Sequence, residues 1–398
     1  MNRGVAAMAA FWFLYMAGLG VVFPYLSLYF RDDVGLSGSQ LGLAMAMNPL
    51  MGILVSPLWG QWADRTGRRR GALFVLAAGA AVGYLLVPRA TGFPALLLCL
   101  AFLSAFAAPA MAVASSLSFA VLGRGGAARF GRVRVWGTVG YLAMILAFPA
   151  LLAWTEDDAA GAARPLALIF PIAAMLCLGS ALVLVRVPAT AAIAVRARRE
   201  DVGTLLRRPS YRRLLVLALL AFGLLAGPIM LFPVFVTARG GEVETVSHLW
   251  IPMLLLEIPL IWFAGAGLRR LGARGLIAAG IALDGARWLA TALAPAMSWI
   301  FGIQLLHGAV VVGLIIGMQL YVEGEVPEHL RVTGQTLLGT MMSTGAVLSH
   351  LWAGAALERF GAAAPYLIAG PAALGLGASA WFLLRPGPVT DGRVAPIR

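Results

Sequence analysis

The amino-acid sequence predicts an all-α membrane protein with 12 transmembrane helices. We expect two six-helix bundles related by a pseudo-twofold axis along the membrane normal. Of the 398 residues, 61% are hydrophobic and only 12% are charged, and a soluble domain carries about twice that charged fraction. Apolar runs of about 20 residues, each long enough to cross a bilayer core, recur throughout the chain. Similar local patterns also occur about half a chain apart, which is typical of an internal repeat.

Turn residues and charges separate the apolar runs from one another. The predicted spans are 8–30, 40–61, 71–88, 94–122, 133–153, 165–186, 212–236, 247–267, 275–292, 298–322, 334–356 and 365–384. An even number of spans puts both termini on one side of the membrane. The N-terminal segment, the even-numbered loops and the tail hold 23 of the 30 basic residues, and the odd-numbered loops hold five. Because cytoplasmic loops are enriched in basic residues, we expect both termini in the cytoplasm and the chain in the cell inner membrane.

The longest connection between spans divides the chain into two halves. It covers residues 187–211, is rich in arginine, and is predicted to be a cytoplasmic linker. The predicted N-terminal bundle is then 1–186 and the C-terminal bundle is 212–398. In transporters built from such repeats, the substrate binds near the midplane at the repeat interface.

Two local matches support the repeat. Phe23-Pro24 in the first span matches Phe232-Pro233 in the seventh, and the loop with Gly67 matches GLRRLGARG with Gly272. In the second copy an arginine, Arg269, takes the place of the loop's aspartate, so the two loops are predicted to act differently.

Composition excludes several classes of protein. The formal net charge is +13, but every basic residue is an arginine and the sequence contains no lysine. A Walker A phosphate loop and a Schiff-base mechanism both need a lysine, so ATP hydrolysis is excluded. Cys99 and Cys177 lie in apolar runs, and the four histidines show no metal-ligand spacing. We therefore expect no metal, no cofactor, no nucleic-acid partner and no enzyme activity.

A charged segment, GQWADRTGRRR from Gly60 to Arg70, lies between the second and third spans. We expect one helix to end there, with Gly60 and Gly67 allowing a tight reversal. Asp64 is predicted to pair with a nearby arginine or a helix N-terminus. A simple positive-inside loop is the alternative.

Ionisable side chains inside apolar spans are costly, so each is a functional candidate. Glu257 lies mid-span between Pro252 and Pro259, and a carboxyl there can take up a proton near neutral pH. Its alternative role is that of a structural acid paired with an arginine. Asp284 and Arg287 are three residues apart, so they share a helix face and can pair with each other. Glu257 is the natural second partner for Arg287.

His307 and Gln304 share a face of the tenth span, and His307 could pass a proton between acid and arginine candidates on the two preceding spans. A hydrogen-bonded packing role is the alternative for His307, and it is our expectation for His350. Arg134 lies just inside the fifth span beside Arg132. These two arginines point in different directions, and interfacial anchoring is the simplest role for both.

The segment from Gly60 to Arg70 resembles the loop signature of the major facilitator superfamily of transporters, G-x-x-x-D-R-x-G-R-R. The matching positions are Gly60, Asp64, Arg65, Gly67, Arg68 and Arg69. In that family the loop acts as a hinge and latch between half-domains. The resemblance implies the major facilitator fold and the same gating role here.

Several segments resemble one branch of this superfamily, the proton symporters related to lactose permease and 3-phenylpropionate permease. These are PYLSLYFRDDVGLSGSQLG from Pro24, FGRVRVWGTVGY with Arg134, EIPL with Glu257, the pair Arg287-Trp288, QLLHG with His307, and VPEHLRVTGQTLLG with Gln335. The resemblance implies that Arg134 contacts substrate. It also implies that Glu257, Arg287 and His307 occupy proton and substrate positions.

The fourth span departs from this branch because Ser115 and Ser116 lie where the permeases carry an acid. That acid pairs with the fifth-helix arginine in lactose permease, so we expect Arg134 to be available to an anionic group. This shifts the prediction from a sugar toward a carboxylate-bearing or aromatic substrate. Tyr25, Asn48 and Trp136 are further candidates for the substrate cavity.

The sequence therefore predicts a proton-coupled symporter that moves a small organic solute by alternating access. Candidate solutes are aromatic acids, nucleosides and sugars, and the expected partners are solute, protons and the lipid bilayer, with the chain acting as a monomer. A proton-driven exporter of the same fold is the nearest alternative. Both mid-span acids, Glu257 and Asp284, lie in the C-terminal half, which favours symport. A membrane-embedded enzyme and a non-transporting sensor or scaffold are the alternatives from other classes.

Overall fold

A computed structural model describes residues 3–123, 126–157, 165–188 and 199–384. Within these ranges the regular structure is entirely helical, as predicted. The first part of the chain forms eight α-helices. They are α1 (Arg3–Val22), α2 (Leu26–Leu28), α3 (Gly38–Thr66), α4 (Arg69–Leu86), α5 (Phe93–Leu122), α6 (Gly126–Asp157), α7 (Ile169–Val183) and α8 (Arg199–Leu206).

The second part forms eight more. They are α9 (Pro209–Ala238), α10 (Val243–Leu255), α11 (Glu257–Leu293), α12 (Met297–Gln304), α13 (His307–Val310), α14 (Gly317–Glu325), α15 (Arg331–Phe360) and α16 (Ala364–Leu383). Gly272 has a φ of 65° and divides α11 into two helical parts.

Among the described residues, ten helical spans are long and apolar enough to cross a membrane. The two remaining predicted spans are also helical. The eighth comprises α10 and the first part of α11, and it is interrupted at Leu256. The eleventh is the unbroken 30-residue helix α15, which at 1.5 Å per residue is about 45 Å long. The predicted all-α membrane architecture is confirmed.

The described residues fall into two compact units. Residues 3–36 and 47–188 belong to the first, and residues 37–46 and 199–384 belong to the second. The predicted linker, 187–211, contains the short helix α8, and residues 189–198 lie outside the described part of the chain. The predicted bundle boundaries at 186 and 212 stay a prediction.

Close helix packing at small residues holds the first unit together. A Cβ on Gly20 would lie 3.0 Å from the Tyr141 Cα, and a Cβ on Gly140 would collide with the Phe13 backbone. Both glycines therefore let α1 and α6 approach at backbone distance, as small residues do at helix interfaces in membranes.

In the second unit, glycines allow the same close packing at three helix crossings. Gly227 of α9 packs against the Ser349 backbone of α15, and the Ser349 hydroxyl accepts a 2.7 Å hydrogen bond from the Gly227 N–H. Gly285 of α11 packs against the Gly370 carbonyl of α16. Gly280 of α11 meets Gly313 of the tenth span. These contacts fix the part of α11 that carries Asp284 and Arg287.

The start of α3 also belongs to the second unit. The Glu358 carboxylate of α15 accepts hydrogen bonds from the Ser37 hydroxyl at 3.0 Å and the Ser39 N–H at 2.7 Å. A carboxylate in this position satisfies an unpaired donor at a helix N-terminus. Gly38 packs against Gly354, so the two helices touch along their backbones.

The charged segment after the second span is more helical than predicted. Helix α3 continues through Gly60, Asp64 and Arg65 to Thr66, so the expected reversal at Gly60 is wrong. The turn is confined to Gly67 and Arg68, and Gly67 has a φ of 67°. Exposed arginines can lie at the bilayer surface on a helix as well as on a loop. The charges alone therefore did not show where the helix ends. The side chain of Asp64 lies outside the described part of the structure.

Gly67→Ala is expected to destabilise the protein, because a Cβ in the left-handed region costs about 1–2 kcal/mol. Gly60→Ala is the matched control. Gly60 is helical and nothing lies within 4 Å of the position its Cβ would take, so alanine there should be neutral or stabilising by up to about 1 kcal/mol. Melting temperatures of the purified variants check this, and equal effects of the two substitutions would contradict it.

Candidate functional site

The eighth span is interrupted at the residue that carries its acid. Helix α10 ends at Leu255, α11 begins at Glu257, and Leu256 joins them. The chemistry of Pro259 explains the break, because a proline has no N–H to donate to the carbonyl four residues earlier. Glu257 is therefore the first residue of a new helix and lies in a partly exposed position.

The tenth span is interrupted in the same way, although it has no proline at the break. Helix α12 ends at Gln304, and the N–H groups of Leu305 and Leu306 bond three residues back, at 3.3 and 3.1 Å. Helix α13 then begins at His307, and a π-helical segment follows at Val311–Ile316. Such segments are rare and occur frequently at functional sites.

The two interruptions touch each other. A Cβ on Gly308 would lie 2.6 Å from the Glu257 N and 2.7 Å from the Leu256 carbonyl carbon. Only glycine allows this approach, so Gly308 brings the first residues of α11 and α13 together. Non-helical backbone inside a membrane is tolerated only where protein buries it or water reaches it. The contact between the two breaks meets that condition, and it defines the candidate site.

A buried ion pair lies on the ninth span beside these breaks. The Asp284 Oδ1 accepts hydrogen bonds from Arg287 Nε at 2.9 Å and Nη2 at 2.6 Å. Arg287 is 1% exposed and Asp284 is 5% exposed. The prediction that these two residues pair is confirmed. Burial of both charges makes the pair a fixed part of this conformation, because separating them would leave each charge without compensation.

Two further side chains tie the ion pair to the tenth span. Arg287 Nη1 donates to Gln304 Oε1 at 2.6 Å, and Gln304 Nε2 donates to the Thr291 hydroxyl oxygen at 3.1 Å. The Thr291 hydroxyl in turn donates to the Arg287 carbonyl at 2.8 Å. Thr291 therefore fixes the amide orientation of Gln304, the last residue before the break. Sequence reasoning missed Thr291, although its position four residues after Arg287 put it on the same helix face.

Aromatic rings close the other side of the arginine. The Arg287 guanidinium carbon lies 3.7 Å from the centroid of the Trp288 ring, a cation–π contact. Trp288 packs against Phe232 of α9 and Tyr366 of α16. The Tyr366 hydroxyl donates to the Pro228 carbonyl at 3.0 Å. Arg287 is thus held by an acid, an amide and an indole.

Arg287 has Asp284 and Gln304 as hydrogen-bond partners, and a further pairing of Arg287 with Glu257 stays a prediction. His307 has a buried Nδ1 atom without a hydrogen-bond partner among the described residues.

Candidates in the first unit are arranged differently. The Arg134 guanidinium carbon lies 4.6 Å from the centroid of the Trp12 ring. Arg134 was expected to have no obvious partner, and this cation–π contact is a difference from that expectation. Trp12 is itself held by a 3.0 Å hydrogen bond from its Nε1 to the Ser118 hydroxyl of α5. Tyr25 is fully buried and packs against Phe148, so in this conformation it is part of the core.

The remaining predicted residues are Asn48, Trp136, Gln335 and His350. Asn48 and Trp136 are exposed on their helices. Gln335 Nε2 donates to the Gln319 carbonyl at 3.1 Å, which ties α15 to the end of the tenth span. His350 is buried beside the start of α3, where its carbonyl lies against Gly42.

Thr291→Val is expected to lower the free energy of unfolding by about 1–3 kcal/mol, because it leaves the buried Gln304 amide without its acceptor. Thr291→Ser keeps the hydroxyl and should stay near the parent. Thr336→Val is the control, since the Thr336 hydroxyl is exposed and donates to the Val332 carbonyl one turn earlier. Thermal unfolding of the three variants provides the measurement. A Thr291→Val variant as stable as Thr336→Val would show that the hydrogen bonds to Thr291 contribute nothing.

Comparison with known proteins shows the family. The model of a family described as "MFS_1 like family" matches residues 5–368. The fold resembles the crystal structure of nucleoside transporter NupG with a TM-score of 0.84 at 16% identity, covering 96% of this chain and 99% of that one. At this identity the likeness shows the fold alone.

Two relatives match in sequence over nearly their whole length. Maltose permease of Geobacillus stearothermophilus is 28% identical over 360 residues, which is 90% of this chain and 89% of the permease. A putative sugar efflux transporter of Deinococcus radiodurans is 28% identical over 380 residues, 91% of this chain and 94% of the relative. These proteins are transporters, so the expectation that the chain is a multi-pass membrane protein and not an enzyme is confirmed. The chain belongs to the MFS_1 like family, within the major facilitator superfamily of transporters.

Proposed function

We propose that the chain is a proton-coupled symporter that carries a small organic solute, namely a sugar, a nucleoside or an aromatic acid, across the cell inner membrane by alternating access. We place the chain in the branch of lactose permease and 3-phenylpropionate permease, as its sequence motifs suggest. We also propose that both termini are cytoplasmic, that the protein is a monomer, and that the segment Gly60–Arg70 has a gating role. Glu257 and His307 are the proposed proton carriers, and Asp284 and Arg287 are the fixed charges that position them.

The contact between the two helix breaks is the observation that carries this proposal. Glu257 and His307 are both first residues of a helix, and Gly308 places the two starts in contact. A helix start favours a negative charge, whereas an apolar span disfavours any charge. The proton affinity of Glu257 therefore depends on how closely the two helix breaks pack against each other. Protonation of Glu257 is coupled to the conformation of the protein in this way.

The names of the relatives support the proposed substrate classes. One relative is named for maltose and another for sugar efflux, and the structural neighbour is a nucleoside transporter. Sugars and nucleosides share several hydroxyl groups and no net charge. Aromatic acids stay among the candidates, because the fourth span has Ser115 and Ser116 where the permeases carry an acid.

A thermal-shift screen of the purified protein against sugars, nucleosides and aromatic acids tests the substrate class, because a bound ligand stabilises the folded protein. Compounds that stabilise the protein are then offered to proteoliposomes with an imposed inward proton gradient. Symport predicts accumulation that a protonophore abolishes. Accumulation that ignores the gradient would contradict proton coupling.

Proton-driven export is the second candidate, and the Deinococcus relative favours it. An exporter would accumulate substrate inside inverted vesicles whose interior is acidic, because protons leaving the vesicle would drive substrate in. The direction of movement under the two gradients therefore separates the two candidates.

A further inference from the structure

A cleft unrelated to the candidate site lies in the first unit, where the start of α1 meets the end of the sixth span. It has a volume of about 670 Å³. Its lining residues are Arg3, Ala6, Ala7, Ala10, Val183 and Arg186. Two of these residues are arginines. The other four, three alanines and a valine, form an apolar surface that we call the floor of the cleft.

The residues on α1 form one continuous face. Arg3, Ala6, Ala7 and Ala10 recur at the spacing of three and four residues that aligns side chains on a helix. Small side chains along this face leave the space that larger ones would fill. Next to Arg3, a Cβ on Gly4 would lie 2.8 Å from Pro188 Cδ, so the start of α1 packs closely against the chain that follows the sixth span. The cleft is therefore a built feature of the helix pair.

An exposed apolar stripe runs along the sixth span toward Arg186. Met175 and Val185 are 66% and 69% exposed, and Leu178 and Leu182 lie between them on the same face. In a membrane protein such a stripe faces hydrocarbon. Arg186 follows it directly, so the cleft lies at the boundary between lipid tails and water. The bias of arginines in the sequence assigns this boundary to the cytoplasmic leaflet.

We propose that this cleft binds an anionic phospholipid from the surrounding leaflet. The lipid phosphate lies between the Arg3 and Arg186 guanidinium groups, which match phosphate geometry and donate several hydrogen bonds. An acyl chain lies along Ala6, Ala7 and Ala10. Basic pockets between transmembrane helices near a cytoplasmic surface suit such headgroups. The apolar floor argues for a lipid over a free anion, because inorganic phosphate would leave the alanine face uncovered.

Native mass spectrometry of the full-length protein tests the proposal. The protein is exchanged into micelles that contain equal amounts of phosphatidylglycerol and phosphatidylcholine of the same acyl chains. Three forms are compared, namely the parent, Arg3→Gln with Arg186→Gln, and a control with Arg269→Gln and Arg270→Gln. The control removes the same charge from exposed positions outside the cleft. We expect the parent and the control to retain phosphatidylglycerol, and the cleft variant to bind it about 30-fold more weakly.

A second variant separates the lipid from other occupants. Ala6→Phe with Ala10→Phe fills the floor while keeping both arginines, and it should also lose the bound phosphatidylglycerol. Retention of the lipid by both cleft variants would overturn the proposal. So would a parent protein without preference for the anionic lipid, as expected if the chain itself covers the cleft. Displacement by inorganic phosphate at equal concentration would assign the site to free anions instead.

Discussion

Glu257→Gln is expected to abolish proton-driven accumulation while leaving exchange of substrate across the membrane intact. Glutamine keeps the size and polarity of the side chain at the start of α11 and removes its ability to release a proton. If a proton and the substrate are coupled by about 1–3 kcal/mol, the substrate affinity of the parent changes by about 5–150-fold with pH. The variant should show one affinity across the same range. Uptake and counterflow in proteoliposomes measure the two activities separately.

Glu244→Gln is the matched control for this substitution. Glu244 lies in the first turn of α10 and is exposed, so its replacement should leave uptake, exchange and pH dependence at parent values. Unchanged proton-driven accumulation in Glu257→Gln would exclude Glu257 as the carrier. Loss of both uptake and exchange would instead assign Glu257 to substrate binding or to folding.

Single substitutions in the buried ion pair are expected to have the largest effect on stability. Arg287→Gln leaves the Asp284 carboxylate buried without its partner, and Asp284→Asn leaves the guanidinium without its counter-ion. Breaking a buried pair from either side costs about 3–5 kcal/mol. The double variant Asp284→Asn with Arg287→Gln removes both charges and should recover most of this loss.

The double variant also separates the structural role of the pair from its role in transport. Melting temperatures report the first, and uptake reports the second. We expect the double variant to be stable but to transport poorly, because Gln304 and the break at Leu305 lose the charge that holds them in place. Stabilities of the two single variants that add up in the double variant would show that Asp284 and Arg287 act independently.

The placement of the helices could be predicted from the sequence because bilayer thickness dictates their length. The predicted fourth span, 94–122, and the helix Phe93–Leu122 differ by one residue. The hydrophobic run predicts this helix, and the turn residues Gly92 and Gly123 mark the two ends of the helix. The pairing of Asp284 with Arg287 was equally accessible, since three-residue spacing on a helix brings two side chains together.

The helix breaks were not predictable in the same way, because a leucine-rich run looks alike whether its helix is continuous or interrupted. Pro259 was a usable signal for the break before Glu257. The break before His307 had no such signal, because it depends on the approach of Gly308 to Glu257, a contact between distant parts of the sequence. Tertiary contacts of this kind also decided the partners of Arg287 and placed Trp12 beneath Arg134.

Proton movement on addition of substrate is the most direct test of coupling at the paired helix breaks. Proteoliposomes containing the purified protein and an internal pH-sensitive dye start with equal pH on both sides and no membrane potential. Addition of a substrate found in the ligand screen should acidify the interior of vesicles holding the parent protein and leave Glu257→Gln vesicles unchanged. Entry of labelled substrate into parent vesicles without any change in internal pH would contradict the account.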